Sequence, residues 1–153
     1  MNKVFFDLEW NTGFLDGNSF DEIIEIGAVK TDEEYREIDG FRRLIRPAIY
    51  RKMNPYIQKI LSITMKDLQN EEPLQAVAKA FFDWCGDCDT LIAWSGNDFG
   101  VLEKNLAHIG MEVPKRLNRY DVQMAYSYRT EKSIRNYALK TAVEAMELPE
   151  PED

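Results

Sequence analysis

The sequence predicts an α/β domain: a mixed five-stranded sheet, three antiparallel strands followed by strands parallel to the first, with helices on its faces. Three observations carry this expectation. Apolar strand-like runs occupy the first 45 residues, and from Pro73 apolar residues recur at three- and four-residue helical steps. Short β-type runs at Thr90 to Ser95 and Arg119 to Val122 interrupt the helices, and right-handed crossovers then return the later strands parallel to the first. Finally, 153 residues with 44% hydrophobic and 12% aromatic content can bury one sizeable core, so 1–153 is read as a single domain.

The first strand is expected at Val4 to Leu8. Trp10 to Phe20, with Gly13, Asp16, Gly17 and Asn18, reads as a loop. The second strand, Glu22 to Lys30, is apolar enough for a central place, and Thr31-Asp32-Glu33-Glu34 turns the chain into a third at Tyr35 to Ile45. Pro47 breaks the pattern, Pro55 to Leu61 reads as a short helical turn, and Thr64-Met65-Lys66-Asp67 has the form of a capped helix start. Leu74, Val77, Ala78, Phe81, Phe82 and Cys85 form a helical stripe that Gly86 stops. After the fourth strand Asp98 opens a helix striped by Leu102, Leu106 and Ile109. Two last helices follow the fifth strand. The second carries Ile134, Tyr137, Leu139, Ala142, Val143 and Met146 and ends before Pro149, leaving a frayed acidic tail.

No stretch approaches the roughly 20 apolar residues that span a bilayer, and Met1-Asn2-Lys3-Val4 leads directly into a strand, so a cytoplasmic protein without membrane contact is expected. Cys85 and Cys88 have Cys-x-x-Cys spacing, yet there is no second pair and only one histidine. They read as ordinary thiols, Cys85 continuing a buried stripe. A net charge of −8 argues against a broad electrostatic grip on nucleic acid, although Arg42, Arg43, Arg46, Arg51 and Lys52 cluster in one segment. Such a cluster suits either a phosphate backbone or a plain solvated face.

The chemistry concentrates at the end of the first strand. Side chains alternate along a strand, so Asp7 and Glu9 share one face with Phe5, while Val4, Phe6, Leu8 and Trp10 take the other. Two anions pressed together repel unless a cation joins them, and hard oxygen ligands suit Mg2+ or Mn2+. Asp98 sits where a later strand ends and a helix begins; it reads either as a helix cap or as a third carboxylate aimed at the first two. Three converging carboxylates can hold two divalent ions roughly 4 Å apart, with Asp7 bridging both, Glu9 on the water-activating ion and Asp98 on the other ion or on a water bound to it.

These residues resemble the DEDD superfamily of 3'-5' exonucleases, relatives of polymerase proofreading subunits with a ribonuclease H-like fold. Phe6-Asp7-Leu8-Glu9-Trp10-Asn11 resembles the first motif, Trp94-Ser95-Gly96-Asn97-Asp98 the second, and Tyr120-Asp121-Val122-Gln123 the acid after the fifth strand. Asp121 is not the third-motif ligand and reads as a helix cap. The Phe41 to Pro47 run and Trp94 are most similar to exoribonuclease-type members that trim RNA 3' ends. The resemblance implies a two-metal phosphodiesterase acting on a single-stranded 3' end, RNA in preference to DNA. It also implies that Leu8, Trp10 and Asn11 lie against the terminal nucleotide, and that Ile60, Leu61 and Ile63 form an apolar wedge near the last base. A non-catalytic nucleic-acid-binding or interaction module with the same fold is the alternative.

The family's third motif supplies a fourth carboxylate and a His or Tyr base in a helix after the segment that resembles Tyr137-Ala138-Leu139-Lys140-Thr141-Ala142. Nothing after Met146 corresponds to it, and His108 lies in the wrong helix. The expectation is therefore a domain truncated at its C-terminus, weakly active or inactive, with its last helix missing and apolar surface exposed that favours self-association.

Overall fold

A computed structural model describes residues 1–131, 139–146 and 148–149. Its order is β1 (Lys3–Leu15), β2 (Asn18–Thr31), β3 (Glu37–Leu44), α1 (Pro55–Leu61), α2 (Met65–Leu68), α3 (Leu74–Cys85), β4 (Thr90–Ala93), α4 (Gly96–His108), β5 (Asn118–Asp121), α5 (Val122–Glu131) and α6 (Leu139–Ala145). The strands form one sheet in the order β3-β2-β1-β4-β5. β1, β2 and β3 pair antiparallel, and β4 and β5 pair parallel, with β4 beside β1. This is the predicted mixed sheet. Ile134 and Tyr137 of the predicted last stripe, and the tail from Glu150, lie outside the described residues.

The predicted loop at Trp10 to Phe20 is instead the far half of a long hairpin. β1 continues to Leu15, which pairs with Asn18 across the two-residue turn Asp16-Gly17. Both turn residues have positive φ, 51° and 79°, the backbone of the tight hairpin turn that Asp-Gly favours because glycine carries no Cβ to clash. Ile24 is an extra residue in β2, since Glu9 faces Glu25 while Trp10 already faces Ile23. This bulge flips the strand's parity, so Ile23 and Ile26 enter the main core and Ile24 enters a second cluster on the opposite face.

The main core lies between the sheet and α3 and α4. Val4, Phe6 and Leu8 of β1 pack there against Phe81, Cys85, Leu102 and Leu106, all buried. The second cluster, Ile24, Met53 and Leu68 with Ile57, Leu61 and Ile63 around it, seats α1 and α2. The capping box of α2 forms as predicted: the Thr64 side chain accepts from the Asp67 N–H, and the Asp67 carboxylate accepts from the Thr64 N–H at 2.8 Å. Among the described residues no helix is long and apolar enough to cross a membrane.

Candidate active site

β1 carries the first two carboxylates because its parity separates core from cleft. Leu8, 3% exposed, is locked in the core, and its neighbours Asp7 and Glu9 therefore point away from it. Asp7 opens onto a cavity of about 670 Å³ whose other walls include Phe5, Gly27, Ile92, Tyr126 and Val143. Asp98 lines the same cavity, so the structure brings Asp98 and Asp7 to one place.

Asp98 reaches the cavity from the first turn of α4 without serving as its cap. Ser95 is the N-cap: its hydroxyl accepts from the Asn97 N–H at 3.3 Å. The capping role considered for Asp98 thus falls to Ser95, and Asp98, 7% exposed, keeps at the helix start only the first-turn acid's interaction with the helix dipole. Asp121 does cap a helix, since its Oδ1 accepts from the Met124 N–H at 3.0 Å. Its other oxygen lies 3.1 Å from where a Gly96 Cβ would stand, so a larger residue at 96 would have to displace the Asp121 carboxylate by a few tenths of an ångström.

The electrostatics are those of crowded anions. Burial, then the charge of Asp7 and then that of Glu25, push the Glu9 carboxyl up to about 7. Burial, then Asp7, Glu9 and Asp121, push Asp98 up to about 7. Asp7 is exposed on the strand but hemmed in at the cavity, and that desolvation raises its carboxyl; a backbone hydrogen bond at Leu8 works against it. Sequence reasoning missed Glu25. It stands directly opposite Glu9 in the hairpin register and is held by Arg42 of β3, Nε to Oε1 at 2.8 Å. Only the strand register could have revealed it.

The predicted nucleotide-contacting residues divide into three groups. Leu8 and Asn11 have their side chains committed to the fold: Leu8 to the core, and Asn11, 1% exposed, to the 46–54 loop. Only the backbone of Leu8 remains for a ligand on the cleft face. Trp10 packs partly against the main core, and Leu61 and Ile63 rest on the second cluster. Ile60 projects outward, 58% exposed. His108 sits ten residues along α4 from Asp98, about 15 Å at 1.5 Å per residue, with its ring against Phe20. Cys85 and Cys88 are free and buried, and burial pushes the Cys85 thiol up to about 12, the state of an inert core thiol.

Among the described residues, no group of three or more His, Cys, Asp or Glu side chains is arranged to clasp a metal ion by itself. The donor chemistry of Asp7, Glu9 and Asp98 nevertheless fits a hard divalent cation. The donors are carboxylate oxygens only, and no Lys or Arg is among the charges acting on Glu9 or Asp98.

The sheet order, with Asp7 and Glu9 midway along its central strand β1, is that of an α/β domain with an acidic cleft, and comparison with known proteins supplies the class. The model of the RNase T exonuclease family matches residues 4–152, and the chain belongs to that family. A region of the DNA polymerase III PolC-type of Clostridium perfringens (strain 13 / Type A) is 34% identical over 109 residues, 70% of this chain and 7% of the polymerase. The chain therefore spans only a small part of that relative's length. Among solved structures, the nuclease domain of 3'hExo, a DEDDh family member bound to rAMP, is 16% identical with a TM-score of 0.79 over 99% of this chain and 82% of that one. A full-length 3'-exonuclease gives 0.82 at 16% identity over 99% and 72%. Escherichia coli exonuclease I in complex with a 5cy-dA13 oligonucleotide gives 0.71 at 15% identity over 96% and 36%. The fold is thus the ribonuclease H-like exonuclease fold.

Proposed function

We propose that this chain is a 3'-5' exonuclease domain that hydrolyses the last phosphodiester of a single strand, RNA in preference to DNA, with Asp7, Glu9 and Asp98 holding two Mg2+ or Mn2+ ions. The observation that supports this most is the shared cavity of Asp7 and Asp98, with Glu9 and Asp98 each pushed up to about 7 in a field of other acids. A fold stabilised for its own sake has no use for such repulsion; cation binding relieves it.

Bound there, the ions would supply an activated water and neutralise the leaving oxygen. Asp7, which lines the cavity it shares with Asp98, would serve both ions, Glu9 the water side, and Asp98 the other. Trp10, Ile60, Leu61 and Ile63 offer the last nucleotide apolar contact, with the Leu8 backbone beside them. The cytoplasm suits two free thiols.

A 5'-labelled single strand incubated with Mn2+ tests the reading. The expected result is a ladder shortening from the 3' side with wild type and none with EDTA. Binding without shortening favours the non-catalytic module. Calorimetry adds a readout free of turnover: Asp7→Asn should abolish Mn2+ binding, and unchanged binding removes Asp7 from the bridging role. The 34% identity with part of a DNA polymerase favours a second reading, a DNA strand as substrate. Matched RNA and DNA strands decide between the sugars.

A further inference from the structure

From Phe41 to Lys66 the chain has seven Lys and Arg and not one Asp or Glu, in a protein of net charge −8. The fold turns the middle of this stretch into a fixed surface. Glu22, almost fully buried, accepts from the N–H groups of Ala48, Ile49 and Tyr50 at 2.9, 2.8 and 3.0 Å. Asn11 donates to the Lys52 carbonyl at 3.0 Å and accepts from the Asn54 N–H at 2.8 Å, and the Tyr50 hydroxyl donates to the Phe20 carbonyl at 2.7 Å. A carboxylate taking three backbone donors is a strong anchor, so the loop is held from beneath while its cations face water.

Four of the seven, outside the strand, stand apart from the paired cations of the chain. Lys3, Arg36, Arg42, Lys79 and Arg119 each pair with a carboxylate. Arg46, Arg51, Lys52 and Lys59 are exposed and form no ion pair among the described residues. Tyr56, 70% exposed, lies in sequence between Lys52 and Lys59 on α1. The surface also adjoins the acids. Asn11, which grips the loop, is two residues beyond Glu9 on β1, roughly 7 Å at the rise of a strand. Screening over about 8 Å at physiological salt leaves these local charges, rather than the acidic remainder of the chain, to govern what approaches.

We propose that Arg51, Lys52 and Lys59 form a track for the phosphates of a single strand on the 5' side of its terminal nucleotide, with Tyr56 stacking on a base. The track's position rests on the exonuclease reading, but its binding requires no hydrolysis. Unpaired cations on a rigid backbone beside an exposed aromatic are what a sequence-tolerant strand groove uses.

Fluorescence anisotropy of a 5'-labelled single strand with the full chain in EDTA tests this. Wild type should bind with an affinity that falls steeply with salt. Arg51→Ala, Lys52→Ala and Lys59→Ala combined should weaken binding at least roughly tenfold and flatten the log–log salt slope by about 2, near 0.7 per lost phosphate contact. Tyr56→Ala should weaken it roughly fivefold or more. Lys104→Ala with Lys115→Ala, on the α4 side, should change nothing. No binding by wild type, a triple variant equal to wild type, an equal loss in the Lys104 and Lys115 pair, or a preference for polyglutamate over the strand would each overturn the track. Strand shortening that the triple substitution leaves unchanged defeats the track and spares the exonuclease reading. Loss of binding in the triple variant, with no strand ever shortened, does the reverse.

Discussion

The two faces of β1 are built from alternate residues of one strand, yet they are opposite environments. On one face Val4, Phe6 and Leu8 are buried against Phe81 and Leu102. On the other, Asp7 and Glu9 meet Asp98 and Glu25 in mutual repulsion. The close-packed face supplies the free energy that lets the other face hold like charges together. Stability and proposed function are thus assigned to different parities of the same five residues.

The sharpest way to break this division is a pair of substitutions. Asp7→Asn should reduce any Mn2+-dependent shortening on the order of a thousandfold or more, since groups acting as a unit fail together. It should leave metal-free stability equal to wild type or above it, because one anion has been removed from a crowd. Leu102→Ala, in a fully buried position, should cost about 2–5 kcal/mol in denaturant unfolding. A destabilised Asp7→Asn protein would show that the acid serves the fold.

Titration separates the faces more gently. Glu9 and Asp98 start from ordinary values of 4.5 and 3.8 in the unfolded chain and are raised to about 7 in the fold. Between those limits the folded protein binds more protons than the unfolded one, so its stability falls as pH rises, and the loss is complete above about 7. Without metal the protein should therefore melt higher at pH 5.5 than at pH 8, by a few degrees. Saturating Mn2+ should reduce that gap, because the ions favour the charged carboxylates. Thermal melts at the two pH values, with and without Mn2+, check the sign; greater metal-free stability at pH 8 contradicts the crowding.

What the sequence disclosed follows the range of the interaction concerned. Parity is local, so Asp7 and Glu9 were legible from their spacing, and the capping box at Thr64 and Asp67 was legible for the same reason. Asp98 needed topology as well, and the strand–helix order supplied it. The hairpin extension to Leu15 was misread because Gly13 and Asn18 look like loop residues, although Asp16-Gly17 is a strong two-residue turn. The bulge at Ile24 has no local signature, and it sets which residue faces Glu9. Nothing in the identity of Leu8 or Asn11 reveals that the side chain of one belongs to the core and that of the other anchors a loop 41 residues away.

Glu25 offers the finest test of the comparison, since it borders the acidic face without being a proposed ligand. It faces Glu9 across the hairpin, raises the pKa of both Asp7 and Glu9, and is partly balanced by Arg42 at 2.8 Å. Glu25→Gln keeps its shape and removes its charge. The Glu9 carboxyl should then titrate below its wild-type midpoint in carbon-detected NMR, and the stability gap between pH 5.5 and 8 should narrow slightly. The fold should scarcely notice, because Arg42 is mostly exposed and regains water when its partner is lost. An unchanged Glu9 midpoint would mean that Arg42 already masks Glu25, leaving burial and Asp7 to account for the whole rise.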